Sequence, residues 1–91
     1  MKYQITYTKQ FKKDLKRIRR QNRDLEKLRT VINSLATGKT LAIRYRDHNL
    51  TGNWIGHREC HIESDWLLIY AIKNDKMSLS MTRTGTHSEI F

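Results

Sequence analysis

The sequence is short of proline, glycine and cysteine, and each shortage excludes a class of architecture. Its 91 residues include no proline, four glycines and one cysteine. There is therefore no linker or low-complexity tract, and we expect a single domain over residues 1–91. Cys60 cannot form an internal disulfide, which is typical of a reducing compartment. The chain also lacks a signal-peptide core and any apolar run near the roughly 20 residues that span a membrane, so we expect a cytoplasmic protein.

Acidic residues are scarce relative to basic ones. Nine Asp and Glu stand against 18 Lys and Arg, which gives a formal charge of +9. Most of the excess lies in residues 1–30, which carry eleven basic and three acidic side chains. Such a charge attracts nucleic acid, an acidic protein or an anionic membrane surface, and composition does not choose among them.

Histidine is absent from the first 46 residues, and all four histidines lie between Asp47 and Phe91. The side chains that transfer protons near neutral pH are thus separated from most of the positive charge. This separation suggests that binding and chemistry occupy different parts of the chain.

Local patterns predict two helices behind a first strand. Residues 3–7 alternate large apolar with polar side chains, as a short strand does. Thr8 can cap a helix over residues 9–21, whose lysines and arginines lie away from its apolar stripe. Asn22 can cap a second helix, which Gly38 can end. The tight connection predicts a helical hairpin.

A period of two follows in the second half of the chain. It predicts three strands at 54–63, 66–73 and 76–83, joined by short turns and therefore antiparallel. The expected fold is α+β with element order β-α-α-β-β-β, a helical hairpin packed on one face of a mostly antiparallel four-stranded sheet. We expect the functional site on the uncovered face.

Titratable side chains alternate along the strand at 54–63. His57, Glu59 and His61 share one face, whereas Cys60 lies on the other. His57 and His61 lie about 13 Å apart at ~3.3 Å per residue, so they do not converge on one metal ion. A zinc protein is therefore disfavoured, but it stays an alternative, in which chelation would change folding or activity.

Histidines and acids beside a cationic surface suit RNA cleavage. The 2′-hydroxyl attacks its own phosphate, so a base must remove its proton and an acid must protonate the departing 5′ oxygen. Arg83 or Arg58 could stabilise the charge that develops on the phosphorus centre. This chemistry requires no metal or cofactor.

Three linked motifs resemble the YafQ branch of the RelE/ParE toxin superfamily. They are Asp47-His48-x-Leu50-x-Gly52-x-Trp54, the run RECHIESDWLLIY that begins at Arg58, and RTGTHSEIF from Arg83 to Phe91. The resemblance implies a RelE-like, microbial RNase-like fold over residues 1–91. It also implies the toxin of a type II toxin–antitoxin pair, an mRNA interferase that cuts messenger RNA in the ribosomal A site and leaves a 2′,3′-cyclic phosphate.

The resemblance also implies site residues and partners. An acid–base cluster falls on His48, His61, Asp65 and His87, with Arg83 as the phosphate-stabilising cation and Trp66 and Phe91 as supporting or base-contacting groups. His57 has no role in the pattern, and we expect it to be exposed. The partners are the ribosome, messenger RNA, an acidic DinJ- or RelB-like antitoxin and, through the antitoxin complex, operator DNA; no membrane or metal is implied.

The N-terminal charge fits docking on ribosomal RNA, whose backbone attracts cations without reading sequence. The residues expected to do so are Lys9, Lys12, Lys13, Lys16, Arg17, Arg19, Arg20 and Arg23. Two matters stay open at the level of sequence. A non-catalytic nucleic-acid-binding module or corepressor would show salt-sensitive binding that survives every histidine substitution. The spacing of the acid–base cluster does not say which member is the base and which the acid.

Overall fold

Residues 1–91 are described by a computed structural model in which every strand belongs to one sheet. The strands in chain order are β1 (Gln4–Tyr7), β2 (His48–Asn49), β3 (Arg58–Glu63), β4 (Trp66–Lys73) and β5 (Ser78–Gly85). The helices are α1 (Lys9–Arg20), α2 (Leu25–Ala36) and α3 (His87–Ile90).

The order of strands in the sheet is β1-β5-β4-β3-β2. β1 runs parallel to β5, and every other neighbouring pair is antiparallel. The α+β architecture with its helical hairpin is thus confirmed. The strand count is corrected from four to five, because a two-residue strand, β2, adds to the edge of the sheet beside β3.

α1 forms where the pattern of apolar residues predicts it. The hydroxyl of Thr8 accepts a hydrogen bond from the backbone N–H of Phe11 at 3.0 Å and so caps the helix. Phe11 and Ile18 are fully buried against the sheet, while the lysines of the helix are exposed. The cationic face is therefore a surface feature, as the pattern indicates.

The cap of α2 differs from the prediction. Asp24, not Asn22, is the N-cap, and its carboxylate accepts from the N–H of Glu26 at 3.0 Å. Asn22 occupies the left-handed region at φ 56°, a conformation that asparagine tolerates better than most residues, and it serves the turn between the helices. Gly38 ends the helical segment at φ 81°, with its N–H bonded to the carbonyl of Leu35, as predicted.

The main core lies between the helical hairpin and one face of the sheet. Burying each large apolar side chain there stabilises the fold by about 1.5–3 kcal/mol. Its fully or nearly fully buried members include Phe11, Ile18, Leu28, Val31, Leu35, Cys60, Trp66, Leu68, Tyr70, Leu79 and Met81. Cys60 therefore faces the core and away from the histidines of β3.

A smaller apolar cluster covers part of the opposite face. It joins Leu67 and Ile69 of β4 to Ile90 of α3, with Leu50 and Trp54 packed beside them. α3 follows β5 directly and is absent from the predicted element order. It carries His87 onto the face that the hairpin leaves open.

β3 is shorter than predicted. The strand begins at Arg58 and not at residue 54, because a 3₁₀ turn at Gly52–Trp54 precedes it and Gly56 takes φ 88°. β5 begins two residues later than predicted, after a 3₁₀ turn at Asn74–Lys76. β4 matches its predicted bounds. No helix of the chain has the length and apolar composition that a membrane span requires.

Candidate active site

Two imidazoles share one carboxylate on the open face of the sheet. Nε2 of His48 lies 3.2 Å from Oε2 of Glu59, and Nε2 of His61 lies 3.7 Å from the same oxygen. The two rings are 6.5 Å apart, and the Glu59 side chain is only 10 % exposed. The Glu59 carboxylate is thus largely removed from water and lies within reach of both rings.

The position of His48 is fixed from two directions. Its backbone pairs with Glu59 in the short β2–β3 ladder. Its Nδ1 donates to the carbonyl oxygen of Arg46 at 2.6 Å, since a carbonyl only accepts. Nε2 is thereby directed at Glu59.

A network beneath β2 holds the segment that carries His48. Asp47 accepts from the Tyr70 hydroxyl at 2.5 Å and from Arg58, whose Nη2 lies 3.1 Å away. Arg58 also donates to the side chain of Asn49 at 2.7 Å. Burial, followed by the hydrogen bond to Asp47, raises the pKa of Tyr70. Arg58, one of two candidate cations for the phosphate, is instead engaged in positioning this segment.

His61 and His87 reach the same end of the open face through strand register. His61 pairs with Leu67, and Leu67 pairs with Gly85, so the backbones of His61 and Gly85 are about 10 Å apart at ~4.8 Å per strand. α3 begins two residues later and packs Ile90 on Leu67. The histidines of β3 and α3 therefore belong to one surface.

The first turn of α3 fixes His87. Thr86 and Glu89 form a capping box, in which Thr86 accepts from the N–H of Glu89 and Glu89 accepts from the N–H of Thr86. The backbone hydrogen bond from Thr86 is the main cause that lowers the pKa of Glu89. Asp65 accepts from the N–H of His87 at 3.3 Å, so these two predicted site residues are brought together.

Aromatic rings line the space beside His87. The ring of Phe91 lies 4.9 Å from that of His87 and 5.6 Å from that of Trp54. Phe91 is 48 % exposed, which leaves its ring accessible to a base. His57 was expected to be exposed, but it is half-buried and packs edge-on against Trp54 at 5.6 Å.

Trp66 corrects one predicted role. Its side chain is 0 % exposed and belongs to the main core, with its ring N–H donating to Thr84 at 2.9 Å. The alternation of β4 turns it toward the helices and away from the histidines. The prediction that Trp66 contacts a base is therefore wrong. Its supporting role is consistent with its position in the main core.

Arg83 is held by a buried acid of α1. Its Nε lies 2.8 Å from Oδ2 of Asp14, and its Nη2 lies 3.2 Å from Oδ1. Asp14 also accepts from the N–H of Thr84 and from Arg17. Burial on its own raises the pKa of Asp14, but the hydrogen bonds from Arg83, the N–H of Thr84 and Gln10 outweigh it and hold the pKa below its ordinary value. Nη1 of Arg83 stays free of Asp14.

Two predicted RNA-binding residues are used inside the protein. Arg17 bonds Asp14, Glu89 and the carbonyl of Thr84, and its side chain is 26 % exposed. Arg23 lies over the ring of Trp66 and near Glu63. Neither offers a free guanidinium to an RNA. The six that remain exposed are Lys9, Lys12, Lys13, Lys16, Arg19 and Arg20.

The structure adds two residues, Glu59 and Asp14, that the predicted site did not include. Glu59 has a readable signal, since it lies two residues before His61 on the same strand face. Asp14 has a weaker one, as the only acid of α1, placed between the apolar Phe11 and Ile18 of the buried stripe. No three His, Cys, Asp or Glu side chains converge as they would around a metal ion.

Comparison with known proteins places this geometry in a family. A family model for the bacterial YafQ toxin of type II toxin–antitoxin systems matches residues 3–91. The mRNA interferase toxin YafQ of Escherichia coli K12 is 40 % identical over 89 residues, which are 96 % of this chain and 94 % of that protein.

Solved structures agree with the sequence comparison. The crystal structure of the E. coli DinJ–YafQ complex matches with a TM-score of 0.90 and 37 % identity, over 98 % of each chain. A metal-bound toxin from Helicobacter pylori matches with a TM-score of 0.92 and 43 % identity, over 98 % of this chain and 99 % of that one. The chain therefore belongs to the YafQ family of toxins of bacterial type II toxin–antitoxin systems.

Proposed function

We propose that this protein is a ribosome-dependent endoribonuclease that cuts messenger RNA in the A site by acid–base catalysis. Its E. coli relative is named an mRNA interferase toxin, which supports the reaction. The observation that carries the mechanism is the pair His48 and His61 around one buried carboxylate, on the sheet face that also bears His87.

The position of the Glu59 carboxylate suggests that the base is one of the two histidines beside it. A proton taken from the 2′-hydroxyl by His48 or His61 creates an imidazolium, which the adjacent Glu59 stabilises. The 2′ oxygen then attacks the phosphorus to form the 2′,3′-cyclic phosphate, and the 5′ oxygen leaves. His87, whose ring lies outside that shared carboxylate, supplies the proton that the 5′ oxygen requires.

Two further residues serve the phosphate and the base. Arg83 directs its Nη1 donors to the phosphate oxygens, with its other donors held by Asp14. Phe91 stacks on a base of the message beside the ring of His87. Asp65 orients the N-terminus of α3, and with it His87, through the backbone bond.

Two partners follow from charge and family. The six exposed cations of α1 bind phosphates of ribosomal RNA, which places the open sheet face on the message. The DinJ–YafQ complex supports an antitoxin partner, and we infer a segment with acidic residues that covers the basic surface until the toxin is released.

The experiment is to mix the protein with programmed ribosomes and map the ends of the message. A chelator selective for transition metals is added in a parallel reaction at constant magnesium, since one relative is metal-bound. We expect chelator-resistant cuts in the A-site codon, with a 2′,3′-cyclic phosphate, and no cutting of free message. An intact message bound to ribosomes in a salt-sensitive way would instead indicate a non-catalytic binding module.

A further inference from the structure

A cleft of about 540 Å³ lies between α2, the 3₁₀ turn at Ile43–Tyr45 and the end of β3. One of its walls includes His61, so the cleft is continuous with the proposed site of cutting. Its volume lies within the range of about 300–1,000 Å³ that small-ligand sites occupy. The cleft is therefore large enough for one unit of a polymer substrate.

The charge of the cleft is positive and only partly compensated. Lys27 is paired with Glu63, with its Nζ 2.7 Å from the carboxylate. Arg44 and Arg46 also line the cleft, and neither forms an ion pair. Two free guanidinium groups beside a catalytic surface are suited to a phosphate, which a planar fork of N–H donors can bind through two oxygens.

Arg44 contacts the side chain of Tyr45 in the absence of a ligand. Its guanidinium carbon lies 4.9 Å from the centre of the Tyr45 ring, and Nη2 donates to the Tyr45 hydroxyl at 2.9 Å. Tyr45 is half-buried and packs against the main core. A side chain held in this way loses less conformational entropy when it binds a phosphate.

Arg46 links the cleft to the acid–base cluster. It occupies the left-handed region at φ 51°, which costs a non-glycine residue about 1–2 kcal/mol. In this conformation its carbonyl holds Nδ1 of His48, while its side chain lies along the cleft. One residue thus orients a proposed base and presents a cation next to it.

We propose that this cleft binds a phosphodiester of the messenger strand adjoining the bond that is cut, with Arg44 and Arg46 holding its oxygens. The inference rests on the proposed function, because it is the message that lies at His61. It is distinct from docking on ribosomal RNA, since no residue of α1 lines the cleft. The cleft sets where the strand lies relative to His48 and His61.

The test is binding of a short single-stranded RNA that cannot be cut because the attacking 2′-hydroxyl is replaced by hydrogen. The variant is R44Q/R46N, in which asparagine tolerates the left-handed backbone. The control is K73Q/K76Q, which removes two exposed charges from the other end of β4. Thermal unfolding and nuclear magnetic resonance spectra verify that both variants are folded.

We expect R44Q/R46N to weaken binding at least about tenfold and to lower the slope of log K against log salt by roughly 0.7, the value for one lost phosphate contact on a single strand. Amide signals of residues 44–46 and 61–64 should shift when the RNA is added to the wild type. Equal losses of affinity in the variant and the control would overturn the proposal.

A second arm identifies which RNA occupies the cleft. R44Q/R46N should bind ribosomes that carry no message as tightly as the wild type; a matching loss there would assign the cleft to ribosomal RNA and overturn the proposal. Because the strand is uncleavable, a protein that binds it in this cleft yet never cuts on ribosomes would refute the proposed function and leave this inference standing.

Discussion

The helical hairpin and the open face of the sheet differ in the kind of side chain that they present and in how those side chains are held. α1 carries seven Lys and Arg in twelve residues and no histidine, and most of these cations are exposed. The histidines of the open face are instead fixed by strand register and by hydrogen bonds. Attraction to phosphates tolerates imprecise geometry, whereas proton transfer does not.

The helical hairpin and the sheet are nevertheless connected by two charged side chains of α1, Asp14 and Arg17. Beyond Tyr7 the chain leaves β1, so α1 and not a strand lies beside the C-terminal half of β5. Asp14 accepts from the N–H of Thr84, and Arg17 donates to the carbonyl of the same residue. Side chains of α1 thus take the place of the backbone hydrogen bonds that a neighbouring strand would make to this part of β5. Asp14 holds Arg83 at the same time.

The largest effect should come from His87→Ala in α3, on the open face. We expect the single-turnover rate of cutting at saturating ribosomes to fall about 10²- to 10⁴-fold, because a positioned acid is lost. Ribosome affinity should stay unchanged, as measured by sedimentation. His57→Ala is the matched control and should cut at nearly the wild-type rate. Normal cutting by His87→Ala would contradict the proposal that α1 binds the ribosome while the open face carries the catalytic groups.

A second prediction concerns the connection itself. Asp14→Asn leaves Arg83 without its carboxylate and Arg17 with Glu89 alone, and it should lower the free energy of unfolding by about 3–5 kcal/mol, as loss of one partner of a buried pair does. Urea denaturation measures this. Asp75→Asn, an exposed acid with no ion pair, should change it by about 0.5 kcal/mol or less.

The same variant makes a prediction about pH. Folding lowers the pKa of Asp14, so its contribution to stability is fully present above the ordinary value of 3.8 and is lost as the pH falls through the folded value. The difference in stability between wild type and Asp14→Asn should therefore be constant near neutral pH and should shrink in acid. A difference that grows in acid would contradict the assignment of the paired, charged form.

The smallest effect should come from the exposed lysines. Substituting Lys12, Lys13 and Lys16 together by alanine should weaken ribosome binding roughly tenfold and lower its salt slope by about 1 per lysine. The rate of cutting at saturating ribosomes should not change. A lower rate under saturation would show that the helix also contributes to chemistry, and that the two regions are less separate than their composition indicates.

Periodicity predicted the regular elements well. Phe11 and Ile18 define α1, and β4 matches its predicted bounds, because long periodic segments bury one consistent face. The wrong predictions lie at positions where the backbone conformation of one residue determines where an element begins. Gly56 at φ 88° delays β3, and Asn22 serves a turn while Asp24 caps α2. Such choices depend on tertiary fit, which propensity does not contain.

The site was less predictable than the fold. The resemblance named His48, His61 and His87, but nothing in their spacing shows that Glu59 lies between the first two. That contact depends on β2, a strand of two residues that no pattern reveals. The composition of α1 likewise gave no reason to separate Arg17 from its neighbours, because the difference lies in a buried partner on the same helix.

The place of β5 in the sheet has a consequence for biosynthesis. β5 lies between β1, made first, and β4, so the parallel pairing that closes the sheet must wait until residues 78–81 have been synthesised. Such long-range pairing is slow to form. A nascent chain therefore carries its cationic helices well before Arg83 and His87 have been added, so during synthesis the charged surface exists without two residues of the proposed site.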